Sequence, residues 1–295
     1  MVLIGSAGVL APGKLRWLRA IGWMMALCVA IVAAFNGVAK IVLLLMTSGQ
    51  AATAGDKLVA ALAGSLAILL LYRLAVGFGE RRAVPELGLR RAPMDLLLGL
   101  AIGFTLVATI IGLLWAFGWV SIEAKPLEGI ALALRDSIRS GVVEELVLRL
   151  VILRLLWRAF GIWPAIAIAA LLFGALHFGN PDSSLFAIAC LIAGEGIVIG
   201  LYLITGRIWA SIGTHAAWNF TQGWIFGAAV SGTGEIAGGP LVTRPAAAAP
   251  GLLSGGGFGP EASLAALVIS LLASVACLGW AWKHGRFTAA DEGIA

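Results

Sequence analysis

Of the 295 residues, 61% are apolar and only 12% are charged, against about 45–50% and about 25% in soluble domains. That composition excludes a soluble globular enzyme and reads as an integral membrane protein. The net charge of +5 reads as the Lys/Arg bias that orients membrane loops, so nucleic acid is not an expected partner.

Taken in order, Lys14, Arg16 and Arg19 precede an apolar run that passes Asn36 and Lys40 and ends near Met46. The run is too long for a cleaved leader, so it predicts a first span. Further spans are predicted at 58–79, 94–119, 138–159, 162–179, 184–204, 208–230 and 262–283, each near the ~20 residues a helix needs to cross a bilayer. The expected architecture is all-α, a polytopic transmembrane helical bundle of about eight spans forming one domain over 1–295, with a core at 130–230. Residues 231–261, rich in Gly, Ala and Pro, read as a flexible external loop. Gly99 and Gly103, like Gly196 and Gly200, have the small-residue spacing that lets membrane helices approach closely. Lys40 and Arg73, near span ends, are expected to snorkel. Cys28, Cys190 and Cys277 lie in apolar runs without metal-type spacing and read as small hydrophobes.

Loop charge gives the orientation. With the N-terminus inside, one face collects Lys14, Arg16, Arg19, Arg81, Arg82, Arg90, Arg91, Arg154, Arg158, Arg207, Lys283 and Arg286, and the other only Lys57, Lys125, Arg135, Arg139 and Arg244. Twelve against five predicts cytoplasmic N- and C-termini.

The predicted fourth span carries charge. Glu144, Glu145 and Arg149 lie within six residues, and hydrocarbon penalises each ionised group by at least ~2.5 kcal/mol. Glu145 and Arg149, four apart with the acid first, form a same-face helical pair. Glu144 points about 100° away and has no helical partner. Later spans add Phe173 with His177, and His215 with Asn219, each pair four apart on one helical face. A carboxylate, two imidazoles and a carboxamide supply what water-mediated hydrolysis needs: a base, nitrogens to hold water or metal, and an oxyanion donor. Serine chemistry is disfavoured because no Gly-x-Ser-x-Gly occurs. A helix starting at 138 would leave Glu144 and His215 at different depths, so the fourth helix is expected to begin near Ala131, with Arg135, Asp136 and Arg139 facing water or headgroups. Glu195 reads as a partner for Arg149.

These three ordered motifs resemble those of the CPBP intramembrane protease family, which includes the type II CAAX prenyl endopeptidases and bacterial relatives. They are Glu144-Glu145 with Arg149, Phe173 to His177, and His215 to Asn219. The resemblance covers about half the chain. It implies an intramembrane endopeptidase, by analogy with the bacterial relatives in the inner membrane, acting on a membrane-associated protein or peptide. Glu144 would be the base, His177 and His215 would position the water or bind a divalent metal such as zinc, and Asn219 would assist the oxyanion. Glu145, Arg149 and Phe173 would support the site. The zinc helix motif His-Glu-x-x-His is absent, so the metal stays open. The alternatives are a non-catalytic membrane scaffold or immunity factor, and a proton-coupled transporter using Glu144, Glu195 and the histidines as a relay.

Overall fold

The computed structural model describes residues 2–234 and 238–289. Three residues of the 231–261 segment and the C-terminal residues 290–295 lie outside the described residues. The long helices follow the apolar runs: α1 (Arg16–Thr47), α2 (Ala54–Ala75, continued as a π turn over Val76–Glu80) and α3 (Ala92–Ala116). Next come strand β1 (Val120–Ala124) and one continuous helical rod. The rod comprises α4 (Ile130–Glu145), a π segment (Leu146–Leu153) and α5 (Arg154–Phe160). After it come α6 (Ile162–Leu176), α7 (Leu185–Thr205), α8 (Trp209–Phe220, continued as a π turn over Thr221–Ile225), β2 (Leu241–Pro245), the short α9 (Gly251–Ser254) and α10 (Leu264–Lys283).

The chain is a helical membrane protein, but the expectation of about eight spans is met only in part. Five helical segments are long and apolar enough to cross a bilayer: Arg16–Thr47, Ala54–Glu80, Ala92–Ala116, Leu185–Thr205 and Leu264–Lys283. α6 is apolar but short, with 15 residues, while the rod from α4 to α5 carries the charges of the site. The all-α expectation is nearly met, with one short exception: β1 and β2 pair antiparallel, Ser121 opposite Arg244 and Glu123 opposite Val242.

That pairing bears on the reading of 231–261. The segment holds β2, α9 and a 3₁₀ turn at Pro260–Ala262, and Phe258 is buried with Ala187 and Ala262. A composition poor in large apolar residues predicts no core here, yet β1 supplies a strand partner and Phe258 an anchor.

The fourth helix begins at Ile130, as the depth argument requires. At 1.5 Å per residue Glu144 lies about 21 Å along it. Both glycine pairs serve close packing. A Cβ on Gly99 or Gly103 would collide with the carbonyl oxygens of Ala210 and Thr214 on α8. One on Gly196 or Gly200 would strike Ser274 and Cys277 on α10.

Candidate active site

Glu144 and Glu145 close α4 where the backbone widens into the π segment. Such widening is common at functional sites. It frees the Leu150 carbonyl, which accepts from Arg154 Nε at 2.8 Å and from the Tyr72 hydroxyl at 3.3 Å. Gly141, one turn before Glu144, lets α8 come close: a Cβ there would meet Ala216 Cβ at 3.0 Å and the Ile212 carbonyl oxygen at 3.1 Å. His215 and Asn219 are thereby brought over α4.

Adjacent residues on one helix take opposite parts. Glu145 is fully buried, with Oε2 2.9 Å from Arg149 Nε and Oε1 2.8 Å from His215 Nδ1. Arg149 also forks onto Glu195, Nη1 to Oε2 at 2.8 Å and Nη2 to Oε1 at 2.9 Å. Glu195 is therefore the partner that the sequence reading assigned to Arg149. An ionised carboxylate only accepts, so Nδ1 of His215 carries the proton and Nε2 is turned towards Glu144, 3.8 Å from its Oε2. The Glu144 side chain is 34% exposed and that of His215 12%.

The remaining motif residues join this pair. Phe173 packs between the imidazoles, its ring centroid 4.6 Å from that of His177 and 6.0 Å from that of His215. His177 ends α6 and its Nδ1 donates to the Phe173 carbonyl at 2.8 Å, which leaves Nε2 as its unprotonated nitrogen when the ring is neutral. Asn219 donates through Nδ2 to Ser140 Oγ at 2.8 Å, and Ser140 donates to the Asp136 carbonyl. Glu144, Phe173, His177, His215 and Asn219 all line one cavity of about 460 Å³.

One expectation fails at the mouth of this cavity. Asp136 does not face water or headgroups; it is buried and forked by Arg135 through Nε at 2.8 Å and Nη2 at 2.6 Å. Its charge is neutralised by the adjacent residue, which one-turn periodicity does not bring to mind. Arg139, by contrast, is half-exposed as expected.

Two further residues were not singled out in the sequence. Ser140, four before Glu144 and so on its face, carries a recoverable signal. Glu261 carries almost none, since it follows a Gly-rich stretch that reads as loop. It is buried against the cavity, accepting from Trp218 Nε1 at 3.0 Å and from the Ser231 amide and hydroxyl. Burial pushes its carboxyl above the usual range, opposed by those hydrogen bonds and by nearby His177.

Among the described residues no group of three or more His, Cys, Asp or Glu side chains is placed to hold a metal ion. Each imidazole donates Nδ1 to a protein acceptor, a carbonyl for His177 and a carboxylate for His215, an arrangement that orients the ring and leaves Nε2 as its free nitrogen.

Residues 126–221, about a third of the chain, match the family model described as type II CAAX prenyl endopeptidase Rce1-like. No curated protein and no solved structure matches the chain. The matched stretch contains all three motifs, from Glu144 to Asn219, and over it the chain is similar to the Rce1-like family.

Proposed function

We propose that the protein is an intramembrane endopeptidase in which Glu144 activates water. The observation that carries this reading is the 3.8 Å separation of Glu144 Oε2 and His215 Nε2 at a common cavity. One water can touch both atoms at ~2.8 Å, the usual reach of a hydrogen bond. The membrane setting and the family match support a peptide segment of a membrane-associated protein as the substrate.

In the proposed reaction the water oxygen attacks the scissile carbonyl carbon while its proton passes to the Glu144 carboxylate. The Asn219 amide, held by Ser140, donates to the oxyanion that forms. The C–N bond then breaks as Glu144 returns the proton to the departing amine. Glu145 does not take protons in this scheme. It fixes the tautomer and orientation of His215, as the third member of a catalytic triad does, and Arg149 with Glu195 holds Glu145 in place. His177, with its ring on Phe173, lines the same cavity.

The test compares membrane proteomes of cells carrying the wild type, Glu144→Gln or His177→Ala. A membrane protein accumulating uncleaved in both variants, with variant levels normal, is the expected result. No accumulation in either would overturn the peptidase reading and leave the scaffold reading in its place.

A further inference from the structure

The contacts sort most of the connecting segments to one of two ends of the bundle. At one end Arg158 donates to the Leu10 carbonyl, Arg154 forks Glu80, Arg207 pairs with Asp95, and Trp209 Nε1 donates to the Gly88 carbonyl. Those contacts join residues 2–12, 80–95, 154–161 and 206–209. At the other end β1 pairs with β2, Trp224 Nε1 donates to the Glu128 carbonyl, Asn180 donates to the Ser231 carbonyl, and the Gly232 amide to the Phe258 carbonyl. Those contacts join 118–129, 178–184 and 224–262.

The basic residues divide along the same line. The first end holds Arg81, Arg82, Arg90, Arg91, Arg154, Arg158 and Arg207 together with Lys14, Arg16, Arg19, Lys283 and Arg286, and the second holds Lys57, Lys125, Arg135, Arg139 and Arg244. Several of these sit in ion pairs with carboxylates. Setting aside Arg82, Arg154 and Arg207 at the first end and Arg135 and Arg139 at the second, the balance is still nine against three. Lys and Arg close to span ends concentrate on the cytoplasmic side, so the first end is the cytoplasmic one. The cavity reaches the opposite end. Its walls include Arg139, Asn180, Ser231 and Thr233, and no residue of 80–95, 154–161 or 206–209.

We infer that the site opens on the non-cytoplasmic face, so that its substrates are segments of exported or membrane-anchored proteins presented from that side. This rests on the peptidase reading for what is cleaved, but not for where the site opens. It separates the protein from any role in trimming cytoplasmic tails, prenylated or not.

The full chain can be tested in bacterial cells, with Cys28, Cys190 and Cys277 replaced by Ser and one new cysteine at Ala247→Cys or Leu89→Cys. Both parent side chains are exposed, at opposite ends. A membrane-impermeant maleimide should label the Ala247→Cys protein in intact cells, and the Leu89→Cys protein only after permeabilisation. The reverse pattern would overturn the inference. In the second arm, peptide N-termini present with wild type and lost with Glu144→Gln are mapped. They should fall in non-cytoplasmic segments, and their mapping to cytoplasmic segments would also overturn it. Expected labelling with no Glu144-dependent N-termini would uphold the orientation and sink the peptidase reading instead.

Discussion

Two clusters of buried charge stand at different depths in this bundle, one at the basic end and one at the cavity, and they are built differently. At the basic end Glu80 accepts from Arg154, Arg82 and Trp23, and Glu86 from Arg82 and the Tyr72 hydroxyl. Two carboxylates meet two guanidinium groups, every carboxylate oxygen has a donor, and all four side chains are buried. At the cavity, Glu144, Glu145 and Glu195 share one guanidinium, Arg149, and one imidazole, His215. The surplus falls on Glu144, which faces open space. Balanced buried charge fits a clamp; the unbalanced charge beside the cavity is the group that the proposed reaction uses.

The contrast predicts opposite effects of mutation. Glu144→Gln keeps the shape and removes the proposed base, so activity on a substrate identified from the proteome should fall by ~10²–10⁴-fold. The melting temperature in detergent should stay close to wild type, because a partly exposed carboxylate whose ion-pair distance is as long as 3.8 Å holds little together. Arg154→Leu should do the reverse. It takes two hydrogen bonds and one of two guanidinium partners from Glu80 and leaves the Ile4 and Leu150 carbonyls short of a donor, and breaking a buried pair in this way costs about 3–5 kcal/mol. The expected readout is a large fall in melting temperature, with specific activity of the remaining folded fraction largely kept. Equal thermal losses in the two variants would erase the distinction between clamp and site.

Glu145→Gln sharpens it further. The carboxamide would keep the volume and could still bond His215 or Arg149, but the imidazole would lose the charge that orients it. Activity should fall by about as much as when a catalytic histidine loses its orienting acid, ~10⁴-fold, with a smaller thermal loss than Arg154→Leu because Glu195 still holds Arg149.

How much of this the sequence could reveal depends on the range of the interaction. The Glu145–Arg149 pair and the Phe173–His177 and His215–Asn219 faces are separated by four residues, within the reach of helical periodicity. The start of α4 near residue 130 also followed, because two polar groups meant for one site must share a depth. The fork from Arg149 to Glu195 spans 46 residues, and was legible only because an intramembrane acid needs a cation and few were available. The β1–β2 pairing and the buried Glu261 had no such constraint. They depend on tertiary contacts made by a Gly-, Ala- and Pro-rich segment whose local signals all say loop. Span number was legible only in part for a related reason: α6 and α8 are apolar enough to read as spans, but short helices can pack inside a bundle without each crossing it alone.

Glu261 provides the finest test, because among the described residues it is paired with no guanidinium of the kind that balances Glu80. Its oxygens accept from the neutral donors Trp218 Nε1, Ser231 N and Ser231 Oγ, with His177 as the nearby titratable group. Burial raises its carboxyl pKa, so between the unfolded value of about 4.3 and the raised folded value the folded state binds more protons than the unfolded state. Stability from this group is therefore complete below the unfolded value and is lost as pH rises through the folded one. Glu261→Gln does not titrate. It turns an amide N–H towards one of the three donors and should lose roughly one hydrogen bond, about 1 kcal/mol, at every pH. Melting temperatures of the two proteins in detergent should then differ most in favour of wild type at the acid end. The gap should narrow as pH rises through the raised pKa and hold steady above it. A gap that does not change with pH would mean that Glu261 is balanced like Glu80 and belongs with the clamp rather than the cavity.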